Sequence, residues 1–478
     1  INYLDINNIL VMELDRCSEL TKLFSSYVMC RLLMTYQIEH LDFSIPSNNY
    51  FEFIKNNDWS IYLNSNNDKY PDQRFDILTS DPLEKIILDD DISNNQSFNS
   101  DVFPSLKNAM EKYKCESKDD IPFCGGAMGF ISYDYGNKLH NIEKKNDKDF
   151  QYPLIAFGIY DWCIIYDYLK RKSFILYHQK NELIDSILKL SISQLSLNES
   201  EPFSCTSSCE SNMNYDLYHA KLSKIMNYIK SGDCYQVNLA QRFSLGFEGD
   251  EYSIYKTLTK SFASPYSAFM NYPFGKILSF SPERFLSINN GIVETKPIKG
   301  TRPISVDPVI DKNNIKELKS SEKDKAENLM IVDLLRNDLG MNSKNGSIKV
   351  DKLFQIETFA NVHHLVSTIS GEVDNDSNIY NLIKDAFPGG SITGAPKLRS
   401  MEIIEELEPN NRSIYCGSIG YIGFDEKTDL NISIRTMLAV NKNLYFWGGG
   451  GIVNDSDIRS EYNESIDKVK PLLDTFSD

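Results

Sequence analysis

The sequence predicts an α+β fold, and three observations support that class. Runs rich in aromatic and β-branched residues, which are typical of strands, occur in groups along the chain. Segments with the apolar spacing of helices separate these groups without a strict alternation of strand and helix. The 478 residues are 41% hydrophobic and 24% charged, a composition typical of a globular protein with a large core.

The N-terminal region, residues 1–190, combines short apolar runs with turns rich in Asn, Asp and Lys. We predict strands at 130–135 and within 154–168, where aromatic and branched residues concentrate. Residues 191–214 are rich in Ser, Asn and Glu, which predicts an exposed linker. We expect this linker to join the N-terminal region to the motif-bearing region 215–478, so that the two form one compact unit.

Three helices are predicted in the region 215–478 from the spacing of apolar residues and from nearby glycines. They cover residues 218–229, 320–339 and 456–476. Strand-like runs lie between these helices and are predicted at 234–239, 276–281, 417–423, 430–439 and 443–447.

The charge balance excludes several classes of partner. The chain has 67 Asp and Glu against 50 Lys and Arg, with a net charge of −17, which argues against nucleic acid or an anionic membrane as a partner.

The apolar runs of the chain are too short to span a bilayer, and no basic-plus-apolar leader is visible. The nine cysteines form no zinc-binding pattern. We therefore expect a cytoplasmic protein with reduced thiols.

Two acidic pairs are candidate metal ligands. Asp324 and Glu327 lie three positions apart in one predicted helix, and Glu461 and Glu464 do so in another. This spacing puts both members of a pair on one helical face, and Lys468 continues the second face. Two such faces that meet would supply the oxygen ligands that Mg²⁺ prefers. On spacing alone, two solvated surface faces remain the more common interpretation.

Four consecutive glycines, residues 448–451, follow the strand-like run 443–447. Glycine weakens a strand end, and its use is a close approach of backbone N–H groups to a ligand, often an anion. A mobile hairpin turn is an equally good interpretation. The run has neither the spacing of a dinucleotide fingerprint nor that of a Walker loop.

Two further segments have the composition of rigid loops that hold a cation. Residues 297–303 place two prolines and a glycine around Lys299, and a lysine held near apolar neighbours can become a nucleophile through a lowered pKa. Residues 387–397 combine prolines, glycines and small residues with Lys397. A surface-loop lysine and a structural turn are the respective alternatives.

His363 and His364 lie in the apolar run 359–369. Strand alternation would point one side chain inward and the other outward. The inward histidine is a candidate site residue, and a satisfied core histidine is the alternative.

Taken together, these motifs resemble those of the chorismate-utilising enzymes. The clear resemblance covers about residues 215–475, and the N-terminal region matches more loosely at 61–65 and 74–82. It implies a large two-sheet antiparallel β-sandwich flanked by helices, with the active site between the sheets. The matching segments are 232–239, 281–285, 297–303, 327–340, 387–397, 431–438 and 448–464.

Position 299 separates two branches of this family. The branch that forms anthranilate reads Pro-Ile-Ala-Gly, whereas the branch that forms 4-amino-4-deoxychorismate reads Pro-Ile-Lys-Gly, as this chain does. A lysine amine that adds at C2 of chorismate expels the C4 hydroxyl with an allylic shift, and ammonia then adds at C4 and expels the lysine. The resemblance therefore implies amination at C4 through a covalent Lys299 adduct, in para-aminobenzoate and folate biosynthesis. Formation of anthranilate is the alternative.

The resemblance also implies roles for other residues. Glu283 matches the family's general acid/base, and His364 matches the histidine beside the C4 hydroxyl. Gln236 stands where the isochorismate and salicylate branch has a lysine that activates water. The residues that match Mg²⁺ ligands, or lie beside them, are Glu327, Glu464, Asp324 and Glu461. Those that match substrate contacts are Gln236, Gly300, Thr301, Ser391, Tyr415, Arg435, Gly449, Gly451 and Lys468.

The expected partners are chorismate and a separate glutamine amidotransferase that supplies ammonia. A glutaminase needs a nucleophilic cysteine in a tight turn flanked by glycine on both sides, and none of the nine cysteines has that setting. In relatives, the N-terminal layer can hold a tryptophan. Residues 63–65 are a faint match to that pocket.

Overall fold

The computed structural model describes residues 35–70, 73–89, 102–117, 120–143, 145, 149–190, 202–359, 362–374 and 378–476. Within them the strands are β1 (Gln37–Leu41), β2 (Ile61–Asn64), β3 (Phe75–Thr79), β4 (Glu84–Leu88), β5 (Gly126–Ile131), β6 (Ile155–Tyr160), β7 (Trp162–Asp167), β8 (Lys172–Tyr177), β9 (Ser204–Cys205), β10 (Glu210–Ser211), β11 (Gln236–Glu248), β12 (Tyr266–Tyr272), β13 (Gly275–Ser281), β14 (Arg284–Asn289), β15 (Ile292–Lys296), β16 (Ile298–Pro303), β17 (Lys349–Thr358), β18 (Val362–Glu372), β19 (Gly394–Ala395), β20 (Ser418–Gly423), β21 (Thr428–Asn431), β22 (Thr436–Val440) and β23 (Asn443–Ile452).

The helices of the same residues are distributed along the whole chain. They are α1 (Ser47–Ile54), α2 (Val102–Lys112), α3 (Tyr133–Leu139), α4 (Glu182–Leu188), α5 (Tyr215–Lys230), α6 (Glu251–Phe262), α7 (Pro308–Ser320), α8 (Glu322–Gly340), α9 (Ile379–Ala386), α10 (Lys397–Leu407), α11 (Ile458–Asp467) and α12 (Lys470–Thr475). No helix among the described residues is both long and apolar enough to cross a bilayer.

The strands form two large antiparallel sheets. The first sheet has the order β1-β8-β7-β3-β2-β12-β13-β22-β23-β11-β10, with β9 and β19 also paired to β11. The second sheet has the order β16-β18-β15-β14-β21-β20-β5-β6-β4, with β17 paired to β18. The predicted α+β class, with two antiparallel sheets and flanking helices, is confirmed.

The main core lies between the two sheets. Phe130 of β5 and Tyr272 of β12 pack edge to face across it, with ring centroids 5.5 Å apart. Helices cover the outer face of the first sheet through a second buried cluster that includes Phe51 of α1, Tyr252 of α6 and Leu472 of α12. Burying a side chain such as Phe51 contributes roughly 1.5–3 kcal/mol, so both layers stabilise the sandwich.

Strands from the N-terminal region and from the region 215–478 pair in both sheets. Asn64 of β2 lies opposite Ser267 of β12, and Gly129 of β5 lies opposite Gly420 of β20. Residues 191–201 of the predicted linker lie outside the described residues, whereas β9 and β10 pair with β11 and expose their side chains. The exact limits of the predicted regions remain a prediction.

Three predicted elements differ from the structure for local reasons. Residues 133–135 begin α3 instead of extending a strand, because the Ser132 hydroxyl accepts a hydrogen bond from the Asp134 amide and caps a helix. The predicted strand 430–439 is broken into β21 and β22 at Arg435, whose φ is +49°. The predicted helix 456–476 is divided into α11 and α12.

Candidate active site

Lys299 lies in β16, so the prediction of a rigid loop at 297–303 was wrong. β16 pairs with β18 and carries a bulge between Lys299 and Thr301. It is an edge strand of the second sheet, a position where the flanking Pro297 and Pro303 are tolerated. Gly300 has φ = +70°, and a Cβ there would lie 2.8 Å from Leu318 Cδ1. Glycine therefore allows both the bulge and the packing of α7 against it.

The amine of Lys299 is enclosed and held by the backbone. Nζ donates a hydrogen bond to the Ser391 carbonyl oxygen at 3.0 Å. Burial lowers the pKa of Lys299, while the negative charges of Glu327 and Glu283 act in the opposite direction. A lowered pKa increases the fraction of neutral amine, which is the nucleophilic form.

Glu283 lies between β13 and β14 and is 4% exposed. Its backbone is fixed on both sides: its amide donates to Ser281 Oγ at 3.2 Å, and its carbonyl accepts from the Ile432 amide at 2.9 Å. Burial raises the pKa of Glu283, with Ser391 and Lys299 acting in the opposite direction. A raised pKa increases the fraction of the protonated carboxyl group, which is the form that can donate a proton.

Both histidines of the predicted pair are buried, so the expectation of one outward side chain was wrong. His363 is covered by α7, and its Nε2 lies 3.0 Å from Asp311 Oδ1. The Nδ1 atom of His364 lies 2.9 Å from Thr301 Oγ1, while its Nε2 is buried without a hydrogen-bond partner among the described residues. Burial lowers the pKa of His364 to about 3, which keeps this imidazole neutral at physiological pH.

The segment 387–397 is a structured turn that reaches Lys299 through Ser391. Gly390–Ile392 form a 3₁₀ turn, and β19 then pairs with β11. Lys397 Nζ donates to Asp338 Oδ2 and to the Ala386 carbonyl, both at 2.8 Å. Lys397 therefore has a structural role, whereas Ser391 contacts the candidate nucleophile.

Asp324 and Glu327 lie in the first turns of α8, as predicted from their spacing. Ser321 caps the helix by accepting from the Asp324 amide at 3.2 Å, and Arg302 Nη2 donates to Asp324 at 3.3 Å. Burial raises the pKa of Glu327, and the charges of Asp324 and Glu464 act in the same direction while Lys299 opposes them. The carboxylates of the two helices therefore act on each other.

Glu461 and Glu464 lie in α11 and differ in exposure. Glu461 is buried and accepts from Ser456 Oγ at 2.7 Å, and burial raises its pKa. Glu464 pairs with Lys468 at 2.7 Å and its side chain is 54% exposed. Burial tends to raise the pKa of Glu464, but Lys468 and other nearby ammonium groups lower it overall.

The four carboxylates do not form a ready-made metal cage. In the described part of the chain, no three His, Cys, Asp or Glu side chains converge as a ligand set. Burial is the main cause of the raised pKa of Glu327, and the charges of Asp324 and Glu464 add to it. A divalent cation would relieve that added repulsion, and carboxylate oxygens are the donors that Mg²⁺ uses. The chemistry of these side chains therefore suits Mg²⁺ only if further ligands complete the site.

The glycine run 448–451 lies within β23, so it is neither a loop nor a hairpin turn. Each glycine pairs with β11, from Gly448 opposite Gln241 to Gly451 opposite Asn238. A Cβ at Gly450 would lie 3.2 Å from Glu461 Oε2 and 3.6 Å from Glu464 Oε1. The missing side chains therefore let α11 place its carboxylates directly against the sheet.

The glycine run also supports the predicted contacts of Gly449, Gly451 and Lys468. Lys468 Nζ donates to the Gly449 carbonyl at 2.9 Å, and a Cβ at Gly451 would meet the Gln236 side chain. Among the described ladders, β22 pairs with β23 only as far as Phe446. The edge of the glycine run that faces away from β11 therefore has no strand partner there, which suits the predicted anion contact of its amides.

Among the described residues, two side-chain nitrogen atoms near this site are buried and unsatisfied, and two further polar side chains lie close to them. Gln236 Nε2, like His364 Nε2, has no hydrogen-bond partner in the residues that the structure describes. Burial lowers the pKa of Arg435, the residue with the left-handed backbone before β22. Tyr415 is buried and stacks on Trp447 with ring centroids 5.8 Å apart. Buried polar groups of this kind favour a polar, anionic ligand.

Arg412 is a supporting residue that sequence reasoning missed. Its guanidinium is buried and forms two hydrogen bonds to Glu408, at 2.9 and 2.6 Å. It also donates to the Ile392 carbonyl at 3.1 Å and to the Asn238 carbonyl at 2.8 Å. It thereby joins the 3₁₀ turn of Ser391 to β11. The Glu408–Arg412 spacing of four was a visible signal, but it is also common in surface pairs.

A separate cavity of about 580 Å³ lies beside the N-terminal strands. We refer to it as the N-terminal cavity, and none of the predicted catalytic residues lines it. Residues 63–65 do line it, and whether it holds tryptophan remains a prediction. Its wall also includes Arg74, Asp120, Ile121, Pro122 and Arg284.

The chain is similar to several known proteins over most of its length. A family model described as chorismate binding enzyme matches residues 60–474. Aminodeoxychorismate synthase component 1 of Salmonella typhimurium is 42% identical over 433 residues, which cover 89% of this chain and 94% of that protein. Anthranilate synthase component 1 of Aquifex aeolicus is 34% identical over 394 residues, which cover 78% of each.

The fold is likewise similar to a solved structure. The crystal structure of anthranilate synthase component I from Streptococcus pneumoniae superimposes with a TM-score of 0.73 at 30% sequence identity. The match covers 84% of this chain and 92% of that one. The two-sheet architecture is therefore shared across the matched length.

Proposed function

The chain belongs to the family of chorismate binding enzymes, and on this premise we propose that it aminates chorismate at C4. The product would be 4-amino-4-deoxychorismate, which would serve as the precursor of para-aminobenzoate and of folate. The activity proposed is that of aminodeoxychorismate synthase component 1, the name carried by the similar Salmonella protein.

The environment of the Lys299 amine is the observation that supports this proposal most strongly. The Lys299 side chain is half-buried, and its amine has a lowered pKa and is oriented by the Ser391 carbonyl. These are the properties of a nucleophilic lysine. A lysine that attacks C2 first leaves C4 open to ammonia, so this residue supports amination at C4 over direct amination at C2.

The side chains near Lys299 would have different roles in proton transfer and in substrate binding. Glu283, buried with a raised pKa, would protonate the departing C4 hydroxyl and later accept a proton from the incoming ammonium. His364, neutral and fixed through Thr301, would orient that hydroxyl through its unpartnered Nε2. Gln236 carries an amide in place of a basic amine, so it would bind substrate without activating water.

The anionic groups of chorismate would be held at two places. Arg435, Tyr415 and the amides of Gly449 and Gly451 would bind the enolpyruvyl carboxylate, and the chemistry of these donors suits an anion. Glu327 and Glu464, with Asp324 and Glu461 beside them, would hold Mg²⁺ next to the ring carboxylate. When bound there, Mg²⁺ would neutralise the carboxylate and withdraw electron density from the ring.

We further propose that a separate glutamine amidotransferase supplies the ammonia and that the reaction is cytoplasmic. The described cysteines Cys115, Cys124, Cys163, Cys205, Cys209, Cys234 and Cys416 are free thiols. None of them has glycine on both sides, as the nucleophile of a glutaminase would need. Free thiols also suit a reducing compartment.

A product assay tests the proposed function. The chain is incubated with chorismate, Mg²⁺ and ammonium, and the product is identified by chromatography and mass spectrometry. We expect 4-amino-4-deoxychorismate. Anthranilate or salicylate as the product would contradict the proposal, and no turnover even with a glutaminase partner would indicate a non-catalytic chain. The Lys299→Ala variant is tested in the same assay. Its matched control is Lys296→Ala in β15, where Lys296 lies 3.8 Å from Glu357.

A further inference from the structure

Two buried cysteines lie in contact on either side of residues 120–122, which line the N-terminal cavity. Cys115 follows α2, and Cys124 precedes β5. Their side chains are 1% and 0% exposed, and the two Sγ atoms lie 3.0 Å apart. Because a sulfur–sulfur bond is about 2.05 Å long, a relative shift of about 1 Å would join them.

Residues 120 and 121, which precede Cys124, are held to the rest of the molecule by charged side chains. Asp120 pairs with Arg74, which also binds Asp167 at 2.7 Å. Lys427 Nζ donates to the Ile121 carbonyl at 2.8 Å. Asp120 and Ile121 both line the N-terminal cavity, so the position of this segment shapes the cavity wall.

We propose that Cys115 and Cys124 are a redox-responsive thiol pair that a small-molecule disulfide converts to an intramolecular disulfide. The bond would tie the end of α2 to the start of β5 and so fix the wall formed by residues 120–122. Among the described residues, the two thiols form hydrogen bonds to each other and to the Cys124 carbonyl, and none of these bonds involves Lys299, Glu283 or His364.

The reaction is a balanced pair of thiol–disulfide exchanges. One protein thiolate attacks a sulfur of the small-molecule disulfide, which forms a mixed disulfide and releases the first small thiol. The second protein thiolate then attacks the mixed disulfide at the protein sulfur and releases the second small thiol. The two protons of the protein thiols end on the two released thiols, and the small disulfide is the species that is reduced.

The surroundings indicate that exchange requires a transient opening. Cys124 is fully buried, and its hydrogen bond with Cys115 together with burial raises the pKa of its thiol. A protonated, enclosed thiol reacts slowly, so we expect oxidation over a longer time than for an exposed thiol. Cys205 and Cys209 are exposed, so their oxidation rate in the unsubstituted chain is the rate with which that of the buried pair is compared.

The test uses the whole chain with oxidised glutathione as the probe. The variant Cys205→Ser/Cys209→Ser removes the exposed pair, and the chain is then oxidised, alkylated and digested without reductant. We expect a disulfide-linked peptide that contains Cys115 and Cys124, and an intact mass lower by two hydrogen atoms. Bonds from either residue to a different cysteine, or no bond after prolonged oxidation, would overturn the proposal.

A melting experiment provides a second measurement that needs no loss of either cysteine. Because the two sulfur atoms need to approach each other by only about 1 Å, the oxidised chain should melt at a higher temperature than the reduced chain, and reductant should reverse the shift. A lower melting temperature after oxidation would contradict the proposed match. Cys163→Ser is the matched control, since Cys163 is also buried but contacts only the Phe123 carbonyl through its thiol at 3.6 Å, and it should leave the shift unchanged.

Discussion

Lys299, Glu283 and His364 are held on or beside strands of the second sheet, whereas the four carboxylates project from two helices. The first group, which we call the lysine side, has side chains that form hydrogen bonds with backbone groups or with a neighbouring hydroxyl group. The second group, the carboxylate side, comprises Asp324, Glu327, Glu461 and Glu464 and includes a side chain that is 54% exposed.

This difference indicates that the lysine side and the carboxylate side are prepared for their ligands in different ways. The lysine side is preorganised, because burial sets the pKa values of its groups before any ligand arrives. On the carboxylate side burial also raises the pKa of Glu327, but the charges of Asp324 and Glu464 add to that effect, and a bound cation would relieve their contribution. Substitutions on the lysine side should therefore affect chemistry, and those on the carboxylate side should affect metal response and stability.

The largest effect is expected for Lys299→Ala. Removal of the amine removes the proposed nucleophile, so amination at C4 should fall below detection in an assay with chorismate, Mg²⁺ and ammonium. Lys296→Ala should keep nearly full activity. If Lys299→Ala still aminated chorismate at C4 at an unchanged rate, Lys299 would not be the nucleophile. The distinction between the lysine side and the carboxylate side would then fail.

Glu283→Gln should have the next largest effect. The amide keeps the shape of the side chain but cannot transfer a proton, so kcat should fall by about 10²–10⁴-fold with a smaller change in KM. Steady-state kinetics with chorismate measure both constants. A kcat within tenfold of the wild-type value would remove Glu283 from the chemistry.

Glu464→Gln tests the carboxylate side by its metal response. Loss of one ligand charge should raise the Mg²⁺ concentration for half-maximal activity by about 10–100-fold, with a smaller change in kcat at saturating Mg²⁺. Asp467→Asn, an exposed residue of the same helix, is the control. A Mg²⁺ titration identical to that of the wild-type enzyme would exclude Glu464 from the metal site.

The smallest effect is expected for Glu327→Gln in the metal-free chain. Because the pKa of Glu327 is raised, the folded state holds this proton more tightly than the unfolded state, and stability falls as pH rises through that pKa. The amide removes this loss, so the free energy of unfolding at neutral pH should increase by roughly 0.5 kcal/mol.

Denaturant unfolding of the metal-free proteins measures this change. Asp333→Asn on the same helix removes a carboxylate that pairs with Arg336 at 2.9 Å and should give no gain. A Glu327→Gln chain that is less stable than the wild type would contradict the conclusion that the buried, charged form of Glu327 costs stability in the metal-free chain.

The carboxylate side was predictable because its determinants are local. Acidic residues at a spacing of three and the Ser321 cap define the start of α8 within a few residues of sequence. The lysine side was harder, because β16 is a strand only through its pairing with β18. Nothing in residues 297–303 alone indicates that partner, and the prolines favour a loop.

The glycine run shows the same limit. Glycine disfavours strands by itself, yet residues 448–451 lie in β23 because β11 pairs with each of them and α11 packs closely over them. The resemblance to a family predicted a site role for Gly449 and Gly451, but only the structure shows that the glycines make room for the carboxylates of α11.

The most direct test of the account is the mass of the protein after exposure to chorismate and Mg²⁺ without ammonium. The account predicts a covalent adduct of chorismate minus one water, located by peptide mapping at Lys299 and absent in Lys299→Ala. Addition of ammonium should then release 4-amino-4-deoxychorismate and restore the original mass. Formation of that product at the wild-type rate with no trace of an adduct at Lys299 would contradict it.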